Sequence, residues 1–371
     1  MRRALLCLLV LALLCGCGAA PSPAPETTPE AEAAGRMELR YATEFAVDYC
    51  ADGSALVTVG GADRYRLLPE GVSAPAGDDA TAIPIPVTGV YVASSSVMDL
   101  FSCLDALDMA AFTSTTAQNW QLPEVRAALE AGDLVYAGKY SAPDYELLLS
   151  ARCPLAVENT MIYHSPAVKE RLEDLGIPMI VERSSYEAHP LGRVEWVKLY
   201  GLLLGREAEA EAFFEEQLRQ LDAVGTLPDA GQTVAFFHIN SLGAAVVRRP
   251  GDYVARMIEL AGGVYAFDDL ELEADSALST VNLQLERFYA GARDADVLIY
   301  NSTIDGPLET LDQLLDKWGL LSEFKAVREG RVWCTEQSMF QRSSASAGMI
   351  RDINAVLTEQ DTELTFLHKL E

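Results

Sequence analysis

The side chains best able to do chemistry fall just after short apolar runs that read as strands. One set is Ser94-Ser95-Ser96, Gly138-Lys139-Tyr140-Ser141, Asn159 to His164, and Glu182 to His189. A second set is Asn240-Ser241, Arg248-Arg249, Asn301-Ser302-Thr303 and Glu336 to Arg342. Ligands of open α/β sheets bind beyond the carboxyl ends of the strands. The two sets therefore predict a cleft lined by hydroxyls, amides, aromatic rings and a few cations, suited to a bulky polar ligand with an apolar or delocalised body. The expected ligand contacts are Ser95, Lys139, Tyr140, Asn159, Tyr163, Tyr186, His189, Arg193, His238, Asn240, Arg248, Asn301, Phe340 and Arg342.

Bond-making chemistry has less support. The chain has no G-x-S-x-G elbow, no phosphate-binding Walker loop, no G-x-G-x-x-G after a strand and no H-E-x-x-H. Ser94, His189 and a carboxylate can be drawn as a hydrolase, but no spacing fixes their geometry. His164, His189 and His238 lie near the same predicted strand ends, and with Glu158 or Glu187 they could hold a bare transition metal. That is the alternative to an intact chelate. Cys50, Cys103, Cys153 and Cys334 are widely spaced, form no C-x-x-C pair and have apolar neighbours, so they read as small core residues. No cofactor is implied.

The elements that must position these residues alternate strand and helix, the grammar of parallel sheets covered on both faces. The first lobe is expected to span 38–190, with strands at 89–93, 134–136, 155–158 and 179–181 and helices around 97–107, 123–131, 143–151 and 166–175. The second, 226–371, has strands at 233–238, 297–300 and 331–334 and helices around 252–261, 282–292, 308–316 and 344–357. Ahead of the first lobe, Phe45 to Tyr49, Ala55 to Val59 and Tyr65 to Leu68 alternate as strands, with Asp52-Gly53 as a hairpin signal, and predict a small front β subdomain. Residues 191–225 join the lobes. Leu191 to Leu204 is apolar on nearly every side, and Arg206 to Val224 is amphipathic, with Ala210, Phe214, Leu218 and Leu221 on one stripe. The fold class is α/β, two Rossmann-like lobes with parallel-type sheets on one stiff backbone helix.

The N-terminus places the protein. Arg2 and Arg3 precede an apolar run from Ala4 to Leu14, shorter than the roughly 20 residues a spanning helix needs. The run ends in Leu14-Cys15-Gly16-Cys17, which resembles a lipoprotein signal cut before Cys17, the expected lipidated residue. Residues 18–37 are rich in Ala, Pro, Glu, Thr, Ser and Gly and read as a disordered tether. The formal net charge of −27 repels nucleic acid and anionic lipid, so attachment to the outer face of a bacterial membrane would rest on the lipid at Cys17.

Several stretches carry a family resemblance: Val90-Tyr91-Val92-Ala93-Ser94-Ser95, Gly138 to Glu146, Leu202 to Ala210, Asp296 to Tyr300, and Ala326 to Trp333. In order and spacing, from about Gly89 to Leu357, they resemble the substrate-binding proteins that deliver ferric siderophores, haem and cobalamin to ABC importers. The resemblance implies a non-enzymatic receptor whose partners are an iron chelate or tetrapyrrole, a permease and its ATPase. It also implies docking on the permease through an acidic residue on each lobe, here Glu146 and Glu286.

Overall fold

The structure, a computed structural model, describes residues 33–225, 228–271, 279–304 and 306–371. The expected signal, Cys17 and most of the expected tether lie outside the described residues.

Five strands form the front sheet in chain order: Ala33–Arg36, Phe45–Cys50, Ala55–Val59, Asp63–Leu68 and Thr81–Pro84. The first three pairings are antiparallel and the last is parallel. The first described strand thus falls within the stretch expected to be tether. Ala33–Arg36 contributes a backbone ladder to Asp48–Cys50 that its composition does not signal. Period-two burial puts Phe45, Val47, Val57 and Leu67 inside. They share one core with Val90, Val92, Leu199 and Leu203, so the front sheet is packed onto the first lobe and is not an appendage.

The first lobe is an all-parallel sheet in the order Met179–Glu182, Ala156–Asn159, Val90–Val92, Ala110–Thr113, Val135–Tyr136. Its two faces feed two clusters, one shared with the front sheet and one under the helices Tyr145–Ser150 and Pro166–Asp174. The strand Ala110–Thr113 has no counterpart in the sequence reading, because Met109-Ala-Ala-Phe-Thr113 offers too short an apolar run to separate from a loop.

The connection is divided into Pro190–Glu195, Val197–Leu204 and Glu207–Val224, the last being the backbone helix toward the second lobe. Gly205, at φ 67°, ends the second segment in the left-handed conformation. Gly201 lets the chain fold back: a Cβ there would lie 2.6 Å from the Cβ of Ala210.

In the second lobe Gln232–Ile239, Val297–Tyr300 and Val332–Thr335 run parallel at the centre. Antiparallel strands Ala245–Arg248, Thr280–Leu283 and Leu367–Lys369 flank them, and Gly263–Tyr265 pairs parallel with the start of Gln232–Ile239. This sheet is therefore mixed, where the sequence led us to expect the parallel strands alone. The added strands have three or four residues each, below the length at which periodicity is legible.

Candidate ligand cleft

A cavity of about 250 Å³ lies between residues of both lobes. Arg183, Ser185, Tyr186 and Glu187 line it from the first lobe, and Arg249, Pro250, Gly251, Asp252 and Ser279 from the second. Glu44, from the front of the chain, completes it.

The first-lobe wall follows strand Met179–Glu182. Glu182 is buried, accepts from Ser184 N at 2.8 Å and Ser94 Oγ at 3.4 Å, and its carboxyl is pushed up by burial. Arg183 then turns outward. Its Nε donates to Glu44 at 2.6 Å, its Nη1 donates to the Tyr163 hydroxyl at 3.3 Å, and its guanidinium carbon lies 4.6 Å from the Tyr186 ring centroid. His189 caps the helix Pro190–Glu195 by accepting from Leu191 N through Nδ1, and its ring stacks on Tyr41 at 4.3 Å. Burial lowers its pKa to about 4, which keeps it neutral at physiological pH.

On the second lobe Arg248 ends its strand and grips Asp252 with both arms, at 2.7 and 2.6 Å. Asp252 in turn caps the helix Tyr253–Leu260 through Val254 N. The sequence offered Arg248 as a charge for an anionic ligand. In the structure its guanidinium is buried and paired with the Asp252 carboxylate. Arg193 crosses from the connecting segment to the second lobe, 4.1 Å above the Tyr253 ring and 3.4 Å from Ser343 Oγ. Its Nε and that of Arg342 are buried donors with no partner among the described residues. Further bonds between the lobes run from Gln121 N to Gln341 Oε1, from Gln341 Nε2 to Asn119 O, and from Ser344 N to Asp99.

Of the expected ligand residues, Tyr186 lines the cavity itself. Tyr163 reaches it through Arg183, and Phe340 sits 5.9 Å from the Arg248 guanidinium. Ser95 opens the helix after the first strand, half-buried, and His238 is buried in its strand. Lys139 is exposed on a short hairpin, and Tyr140 packs on the apolar cluster beneath it. In Asn159, Asn240 and Asn301 each side-chain oxygen instead accepts from the backbone two residues on, at Met161 N, Leu242 N and Thr303 N. These asparagines hold turns. What the turns present is apolar: Met161 is 48% exposed, Leu242 91% and Ile304 65%. Met161 falls in the stretch singled out from the sequence, whereas Leu242 and Ile304 do not, although an isolated aliphatic beside a turn-forming asparagine is a usable signal.

The groups of the other readings are dispersed. Ser94 Oγ meets Ser96 Oγ at 2.8 Å while His189 Nδ1 is committed to its cap, so the drawn hydrolase pair is not assembled. His368 bonds Glu336 and Leu308 O, His164 stands exposed, and no cluster of three metal-binding side chains occurs among the described residues.

Two sheets flanking a shared cavity, joined by helix, define a bilobal solute-binding protein. The family model for periplasmic binding proteins matches residues 90–338, and the chain belongs to that family. An uncharacterized lipoprotein of Methanocaldococcus jannaschii is 26% identical over 71% of this chain, and the match spans 63% of that relative's length. A periplasmic haem-binding protein from Pseudomonas aeruginosa has the same fold (TM-score 0.58, 17% identity, 76% of this chain and 97% of that one). So does a periplasmic vitamin B12-binding protein of Vibrio cholerae (TM-score 0.51, 13% identity, 75% and 99%).

Proposed function

We propose that the chain is the substrate-binding lipoprotein of an ABC importer, capturing an iron complex, haem or a cobalamin-like ligand between its lobes and presenting it to the permease. The observation that carries the reading is the cavity built from both lobes, since a ligand held by both walls favours the closed arrangement. The Tyr186 ring and the Arg183 and Arg249 side chains in its wall, with exposed aliphatic side chains on turns after other strands, suit a large ligand that is polar at its edge and apolar in its body. The ligands of the haem- and B12-binding structures are of that kind. Glu146 and Glu286 are each exposed and each the second residue of a helix, Tyr145–Ser150 and Leu285–Ala292, which makes them available to permease arginines. Lipid at Cys17 would hold the receptor at the membrane.

Native mass spectrometry of the mature chain with ferric siderophores, haem, cobalamin and bare divalent metals tests the reading. A one-to-one adduct with an intact complex is expected. Retention of naked metal alone would replace it with a transition-metal receptor, and turnover of the ligand with a lipoprotein enzyme.

A further inference from the structure

The matched family region begins at residue 90, so the front sheet and the strap that joins its first two strands lie outside it. Yet Glu44 is part of the cavity wall. We propose that the strap from Glu38 to Glu44 is a third wall of the ligand site, and that its Glu44–Arg183 pair selects ligands edged with neutral amides or hydroxyls over polycarboxylates. This rests on the receptor reading above.

The strap is held with unusual completeness. Glu195 accepts from Arg40 N, Tyr41 N and Ala42 N at 2.8–3.0 Å, and Glu187 accepts from Thr43 N and Glu44 N at 2.8 and 3.0 Å. Five successive backbone amides thus end on two buried carboxylates, and Lys198 adds a bond to Glu38 O at 3.1 Å. A wall so fixed gives Glu44 a defined place. Its carboxylate and the Arg183 guanidinium meet at 2.6 Å with 23% of each side chain exposed. At that depth the pair is less screened than a surface ion pair.

A ligand carboxylate approaching Arg183 must displace Glu44 or sit beside it, and either arrangement sets two anions together. A ligand amide meets no such conflict, because its NH₂ can donate to Glu44 while its oxygen accepts from Arg183. The other acids of the cavity are engaged, Asp252 by Arg248 and Glu187 by the strap.

Cyanocobalamin, edged with amides, and haem, edged with propionates, are the probes. Both are titrated into the mature chain, into Glu44→Gln, and into Glu130→Gln, an exposed acid away from the cavity, with melting temperatures recorded to confirm folding. Wild type is expected to prefer cyanocobalamin, and Glu44→Gln to raise haem affinity relative to cyanocobalamin by about tenfold while Glu130→Gln leaves the ratio unchanged. An unchanged ratio in folded Glu44→Gln overturns the proposal, as does wild-type binding of neither probe. A ferric siderophore bound in the same panel would still uphold the receptor reading, whereas failure of every probe would remove both.

Discussion

Glu195 and Glu158 are both wholly buried carboxylates on the first-lobe side of the molecule, and their surroundings are opposite. Glu195 receives three backbone amides and lies 3.4 Å from Lys198 Nζ, so nearly every lone pair has a partner. Glu158 lies within the strand Ala156–Asn159 with neither carboxylate oxygen partnered among the described residues, and burial raises its pKa to about 8. The contrast shows what each place requires. Where a strap must be fixed against the connecting helix, the chain surrounds a buried carboxyl group with donors. Where no donor is supplied, the same residue type stays protonated and contributes a neutral acid.

The largest effect is expected from Glu195→Ala. Removing this carboxylate leaves three amides and Lys198 without their acceptor, and a loss of about 3–5 kcal/mol is expected in chemical denaturation. Amide exchange at Arg40, Tyr41 and Ala42 should rise with it. If stability and protection both stay at wild-type levels, the carboxylate is not what holds the strap.

Glu158 makes the opposite prediction, readable in its pH dependence. Its folded pKa of about 8 lies above the ordinary value of 4.5, so the folded protein holds the proton more tightly than the unfolded chain. Stability from this group is complete below about pH 4.5 and is lost as pH rises toward 8. Glu158→Met, similar in shape and unable to ionise, should therefore flatten the melting profile over that window and stabilise the protein at pH 8 by a few kcal/mol. Equal pH slopes in variant and wild type would mean that the carboxyl is hydrated. His189 acts in the other sense: with a folded pKa near 4, its contribution is present above about 6.5 and lost as pH falls toward 4.

How far the sequence could be read follows from the same physics. Apolar runs such as Val90-Tyr-Val92 and Met179-Ile-Val181, bounded by polar clusters, announced strands of the first lobe and the loops beyond them. The cavity's first-lobe wall was legible for that reason. The strap was not, because its bonds are made by backbone amides, which any sequence carries. One signal was available: Glu195 and Lys198 stand inside a helical stretch otherwise apolar on nearly every side, and a charge on a buried face needs a partner from elsewhere. Arg248 was legible as a cation but not as a paired one, since Asp252 four residues on reaches it only because a turn brings the strand end back to the helix cap.

The smallest effect is expected at the residue beside Glu158. Asn159 accepts from Met161 N at 2.9 Å and starts the short turn that carries Met161 and Tyr163 toward solvent. If its role is to hold that turn, Asn159→Ala should cost about 0.5–2 kcal/mol, as the loss of a capping side chain does. Asn159→Asp keeps the accepting oxygen and should retain most of the stability. Ligand affinity separates this role from direct contact. A turn-holding asparagine loses affinity in the alanine variant and recovers it in the aspartate variant, whereas one whose amide donates to the ligand loses affinity in both. Binding titrations of the two variants beside their melting curves therefore decide whether this side of the cleft recognises its ligand through the asparagine or through the residues that the asparagine presents.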